Sequence, residues 1–216
     1  MIEAEPMVNN GQIKIERFVL GAFSTNAYVI TCQQTGESAL IDAPAEPGKL
    51  IKHLETTSPQ YILLTHAHPD HIGALKEVKQ QLQLPLASHE AEVQNLPFAP
   101  DIYLVEGSSV SFGELQLEVM HTPGHTPGSL CFLLGSYLLA GDTLFPGGPG
   151  KTFSPEGFKQ ILSSISQKIF RLPDETTVFP GHGESTTLKK EKEEYKIFSS
   201  REQPSNLYGD VVWLPS

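Results

Sequence analysis

Three imidazoles and a carboxylate fall within six residues, His66-Ala67-His68-Pro69-Asp70-His71, directly after the apolar run Tyr61-Ile62-Leu63-Leu64-Thr65. Imidazole nitrogen and carboxylate oxygen are preferred donors for zinc and related divalent ions. Side chains alternate along an extended segment, so His66 and His68 point to one side together, while Asp70 and His71 fall where the chain turns into a helix. One strand end can thus present four donors to two neighbouring positions. Three further donors each end a strand-like run beside Gly or Pro: His125 within His121-Thr122-Pro123-Gly124-His125-Thr126-Pro127-Gly128, Asp142 after Leu138-Leu139-Ala140-Gly141, and His182 after Val178-Phe179-Pro180-Gly181. Residues at strand ends on one edge converge on one cleft, and glycine lets backbone and ligand approach closely.

The elements that must position these donors are legible from hydrophobic periodicity. Gln12 to Leu20, Asn26 to Thr31 and Ser38 to Asp42 predict an antiparallel meander. From Pro47 the pattern becomes helical at Leu50, Ile51 and Leu54. A strand over Tyr61 to Thr65 follows, then one helix through Ile72, Leu75, Val78 and Leu82. The second half repeats the rhythm: Leu115 to Val119 alternates, and Ser129 to Leu134 and Tyr137 to Ala140 flank a Gly135-Ser136 hairpin turn. Phe158, Ile161, Leu162, Ile165, Ile169 and Phe170 then keep a helical period behind an Ser154-Pro155-Glu156 cap. Thr177 to Phe179 predicts a last short strand and Leu188 to Phe198 a last helix. Two sheets with apolar faces to cover, and helices in both halves, predict an α/β fold: a four-layer αββα sandwich with the metal site at the edge of the two sheets. A single domain over residues 1–216 is expected, with the donor motifs within 66–182, a loop between halves at Leu96 to Asp101, and a short helical tail over 187–216.

Composition narrows the partners. The 216 residues carry a net charge of -10, and the basic side chains form no stripe, which argues against nucleic acid. No long apolar run predicts a membrane span, and the acidic start Met1-Ile2-Glu3-Ala4-Glu5-Pro6 lacks the features of a secretory signal, so a cytoplasmic location is expected. Cys32 and Cys131 sit in apolar segments and are expected as buried reduced thiols. The mixed-sign run Lys189 to Glu194 is expected to be a solvated helix face.

With these motifs in view, the chain resembles the metallo-β-lactamase-fold hydrolases, and most closely glyoxalase II and its shorter relatives. The likeness is carried by Thr122-Pro123-Gly124-His125-Thr126-Pro127-Gly128, Gly141-Asp142-Thr143-Leu144-Phe145 and Pro180-Gly181-His182-Gly183. The resemblance implies one metal held by His66, His68 and His125, a second by Asp70, His71 and His182, and Asp142 bridging both. It implies two zinc ions, with iron or manganese as alternative metals, sharing a hydroxide that cleaves a small-molecule thioester, with Asp70 orienting that group and carrying a proton. Closely similar motifs also serve a mononuclear iron persulfide dioxygenase, which needs only two His and one Asp, and zinc lactonases or β-lactam hydrolases. Where the full glyoxalase II pattern continues into a helical domain that helps bind glutathione, residues 183–216 hold one predicted helix and a tail.

Gly147, Gly148 and Gly150 predict a flexible loop at the cleft rim, where Lys151 is a candidate to hold a substrate carboxylate. His121 is expected to support the site, with a spare ligand as the alternative, and His53 and His89 to be ordinary. Asp42 is expected either to hydrogen-bond the His66 loop or to cap its own turn, and Asn26 to lock backbone. Tyr208 and Trp213 are expected to cover core.

Overall fold

The structure, a computed structural model, describes residues 4–214. Among these the first sheet holds seven strands in chain order: β1 (Glu5–Asn9), β2 (Ile13–Leu20), β3 (Thr25–Cys32), β4 (Glu37–Ile41), β5 (Ser58–Leu63), β6 (Leu86–Ser88) and β7 (Ile102–Tyr103). Strands β1 to β4 pair antiparallel, as the meander predicts. From β4 to β7 the pairing is parallel, which requires crossovers. These are α1 (Pro47–Leu54), then α2 (Pro69–Ile72) with α3 (Leu75–Leu82), and a 3-10 turn over Glu90–Asn95.

The second sheet contains β8 (Ser109–Phe112), β9 (Leu115–His121), β10 (Leu130–Leu134) and β11 (Tyr137–Gly141). After a small ribbon of β12 (Leu144–Phe145) and β13 (Gly148–Pro149) it resumes with β14 (Thr177–Pro180) and β15 (Thr186–Thr187). Its spatial order is β15-β14-β11-β10-β9-β8. Helix α4 (Pro155–Gln167) provides the crossover that lets β14 lie parallel to β11, and α5 (Leu188–Ser199) follows β15. Ser154 caps α4 as its sequence predicts, its hydroxyl accepting from Gly157 N at 3.0 Å.

Alternation within single strands builds the layers. In β3, Tyr28, Ile30 and Cys32 face the second sheet, while Ala27 and Val29 face Leu50, Leu54, Leu75 and Val78 of α1 and α3. In β10, Phe132 joins the core between the sheets, whereas Cys131 packs with Ile161 and Ile165 of α4. Each central strand therefore feeds two apolar layers, and the result is the expected αββα sandwich.

Several local expectations are corrected. The chain passes between sheets at residues 104–108, after β7, and Leu96 to Asp101 lies within the first sheet's connections. The single helix expected through Ile72 and Leu82 is two, because Ala74 N donates to Ala43 O at 2.8 Å and Gly73 packs on the Pro44 carbonyl. Strand Thr177 to Phe179 is not the last, since β15 pairs back on it. Glu191 departs from the solvated-face reading: fully buried, it accepts from Thr186 Oγ1 at 2.6 Å, Gly147 N at 2.9 Å and Trp213 Nε1 at 3.1 Å. Trp213 is buried, whereas Tyr208 is exposed. Both cysteines are free and buried.

Candidate metal centre

All seven predicted donors meet at the C-terminal ends of β5, β9, β11 and β14. His66 and His68 follow β5, Asp70 and His71 lie in α2, and His125 lies in the β9–β10 connection. Asp142 and His182 leave the parallel neighbours β11 and β14, held in step by Gly181 N donating to Gly141 O at 2.8 Å. A side chain at position 181 would put its Cβ 2.1 Å from Asp142 Oδ1, so only glycine lets these two ends converge.

Three ring nitrogens face one another: His66 Nε2 is 3.1 Å from His68 Nδ1 and 3.3 Å from His125 Nε2, which is 2.9 Å from His68 Nδ1. The outward nitrogens of two rings are occupied. His66 Nδ1 lies 3.0 Å from Thr65 Oγ1, whose proton goes to Asp42 Oδ2 at 2.7 Å, and His125 Nδ1 lies 2.7 Å from Lys151 O. Both rings therefore carry their proton outward and turn lone pairs inward. Tetrahedral ligands at about 2.0–2.1 Å would stand roughly 3.3 Å apart, close to what is observed.

Asp70, His71 and His182 form the adjoining group, with His182 Nε2 3.2 Å from Asp70 Oδ2 and His71 Nε2 3.8 Å from it. Asp142 stands between the two groups. Its Oδ2 is 3.6 Å from both His125 Nε2 and His182 Nε2, and its Oδ1 is 3.4 Å from His71 Nε2. His71 Nε2 and Asp142 Oδ1 are buried, face each other, and make no hydrogen bond. A buried polar atom without a partner is costly, and here a divalent cation would satisfy both. The donor set thus fits a metal at each position.

Electrostatics agree. Burial pushes His66 well below its ordinary pKa, reinforced by His71, and burial beside His125 lowers His68, so these rings are neutral donors. At His71 burial again opposes charge, but the Asp42 and Asp142 carboxylates outweigh it and push the ring up to about 10. Desolvation would raise Asp142, yet His71 holds it well below the usual carboxylate range. The carboxylates that raise His71 are the same ones that a bound cation would neutralise.

Supporting residues include both expected and unexpected ones. Asp42, at φ 60°, does what its position after β4 predicts: Oδ1 accepts from Thr65 N at 2.8 Å, and Oδ2 meets His71 Nδ1 at 2.8 Å. Asn26 locks backbone, its Nδ2 donating to Pro180 O at 2.9 Å and Gly183 O at 3.0 Å. His121 stays outside the cluster, its Nε2 bonded to Pro127 O and its ring stacked on His89, so the spare-ligand alternative falls. His53 pairs with Glu16. Sequence reasoning missed Glu92, whose buried carboxylate accepts from Ala67 N and Gly128 N at 2.8 Å each, tying the His66–His68 loop to the His125 loop. One of two acids in the short turn Glu90–Asn95, Glu92 carries no periodic signal.

The rim is apolar. Exposed Phe153 lies 6.1 Å from the His68 ring, Phe145 stacks on His182, and Phe23 offers its carbonyl to His182 Nδ1. The glycine loop expected to be flexible is packed instead, since a Cβ at position 150 would lie 1.7 Å from Asp142 O. Lys151 reaches the cleft, its Nζ 3.2 Å from Asp210 Oδ2.

Comparison with known proteins bears on this geometry directly. The sequence model of the metallo-beta-lactamase superfamily matches residues 20–182, from the end of β2 to the last of the seven donors. The chain belongs to the metallo-beta-lactamase superfamily. Hydroxyacylglutathione hydrolase GloC of Haemophilus influenzae is 32% identical over 212 residues, covering 88% of this chain and 100% of that protein. Among solved structures, BLEG-1 B3 metallo-beta-lactamase superposes with a TM-score of 0.75 at 32% identity, covering 83% of this chain and 96% of its own. TTHA1623 in a di-iron-bound form does so at 0.69 and 33%, covering 82% and 96%. Among the described residues no helix is long and apolar enough to cross a membrane.

Proposed function

We propose that this superfamily member is a dinuclear zinc hydrolase that cleaves a small thioester. The observation that carries the reading is Asp142 standing between two complete donor groups, His66, His68 and His125 on one side and Asp70, His71 and His182 on the other. A pair of bound ions supplies Lewis acidity and lowers the pKa of water from about 15.7 toward 7. Among the described residues lining the cleft beside Asp142 and His182 none is a Ser, Thr, Tyr or Cys, which supports water as the attacking group. Asp70 Oδ2, steadied by Thr25 Oγ1 at 3.1 Å, is placed to orient that water and pass its proton to the departing sulfur. Water adds to the acyl carbon, the carbon–sulfur bond breaks, and an acid and a thiol leave.

The likeness to a hydroxyacylglutathione hydrolase supports the thioester, and the likeness to a di-iron protein makes the metal part of the question. The gathered second donor group favours hydrolysis over the mononuclear dioxygenase. Metal content and turnover should be measured together on thioester, lactone, β-lactam and persulfide substrates. Two equivalents of zinc and chelator-sensitive thioester hydrolysis are expected. One iron with oxygen uptake on a persulfide would replace this reading.

A further inference from the structure

The mouth of the metal centre is completed by the far end of the chain. Asp210, Val211 and Val212 line a cleft of about 340 Å³ together with Phe145, Pro146 and Lys151, with Asp142 and His182 at its base. This tail is stitched in place through its backbone and one indole. Trp213 N donates to Gly147 O at 2.7 Å, Thr152 N to Gly209 O at 3.2 Å, and Gly209 N to Thr152 Oγ1 at 3.3 Å. The buried Glu191 carboxylate holds both sides at once, taking the Gly147 amide and the Trp213 indole. Such a segment is a built wall of the cleft.

Its chemistry is specific. The wall presents Val211 and half-exposed Val212, opposite Phe145 and Pro146, with exposed Phe153 nearby over the His68 ring. Lys151 is the one cation lining this cleft among the described residues, and this half-exposed side chain pairs with the exposed Asp210 carboxylate at 3.2 Å. Arg17, which reaches the Gly183 carbonyl beside His182, is taken by Glu5 and Glu184. Among the described residues, the cleft that holds Asp142 and His182 is lined by no cation free of an ion pair to meet a carboxylate on the part of the substrate beyond the reacting carbonyl, and Arg201 lines a separate groove of the tail.

We propose that the 209–213 wall selects a thioester whose group beyond the scissile bond is uncharged and apolar, and disfavours one bearing carboxylates. The inference rests on the thioester reading above. It assigns Lys151 a paired role in place of a substrate clamp, and it makes Asp210 the residue that sets charge preference.

The test compares two lactoyl thioesters, one of glutathione and one of uncharged N-acetylcysteamine, on the metal-loaded full chain. A kcat/KM at least about fivefold higher on the uncharged ester is expected, the size of an effect exerted by solvent-facing rim charges. Asp210→Lys should move that ratio toward the glutathione ester by about fivefold. Asp210→Asn should move it the same way by less. Neither variant removes the Trp213 or Gly209 contacts, and an unchanged melting temperature confirms that the wall stands. Preference of the parent for the glutathione ester, or a ratio unmoved by Asp210→Lys, overturns the wall proposal and leaves the hydrolase reading intact. Turnover of neither ester overturns both.

Discussion

His66, His68 and His125 meet as three rings, two of them with lone pairs turned inward, whereas Asp70, His71 and His182 meet around carboxylates shared with Asp142. The first group is shaped by hydrogen bonds that fix ring tautomers, with Glu92 joining the two loops that carry it. The second is shaped by charge, with Asp42 and Asp142 acting on a buried His71 and with Asp70 and His182 open to solvent. Two adjacent positions in one cleft therefore offer different things to a cation: preset geometry in one, negative charge and access to water in the other.

Asp142→Ala strikes both groups and should have the largest effect. It should empty both positions and lose more activity than the roughly 10- to 100-fold in metal affinity that removal of an outer hydrogen-bond partner costs. Plasma emission metal analysis with thioester kinetics checks this, and retention of two equivalents would sink the bridging role. His68→Ala and His182→Ala should each leave about one equivalent in opposite positions, the first sparing the solvent-facing site and the second the three-ring site. Cobalt substitution distinguishes them by spectrum; identical spectra would erase the comparison.

Smaller effects refine it. Glu92→Gln should weaken metal binding at the three-ring position by about 10- to 100-fold, and Asp42→Asn should do so at His71. Competition with a chromophoric chelator reads each step, and equal weakening of both steps by Glu92→Gln would mean that it merely softens the fold. Asn26→Ala should cost about 0.5–1.5 kcal/mol of stability by removing its hydrogen bonds to the Pro180 and Gly183 carbonyls, which keep Tyr28 Oη and Arg17 Nη1 as donors. Calorimetric melting measures it, and a loss below about 0.5 kcal/mol would show that the loop is held otherwise.

The donors were legible because the strands before them have clear apolar patterns, alternating at Leu115 to Val119 and continuous at Tyr61 to Leu64. The layers followed from counting apolar faces. What stayed hidden depends on contacts distant in the chain. Glu92 reads as a surface acid until Ala67 and Gly128 are brought to it, and Glu191 reads as one charge in a mixed run until Trp213 and Gly147 close over it. Short strands such as β6, β7 and β15 have too few residues for a period to show and exist because a neighbour offers its edge. The break before α3 likewise comes from the Ala43 carbonyl.

The clasp between Asn26 and the His182 loop also bears on how the chain comes to its folded state. Thr25 bridges His182, and Asn26 binds Pro180 across 154 residues of sequence. Closing so long a loop costs entropy before it returns any contact, and such pairings form late. In chain order His66, His68, Asp70 and His71 come more than a hundred residues before His182. The seven donors are therefore together only once the second half has docked on the first.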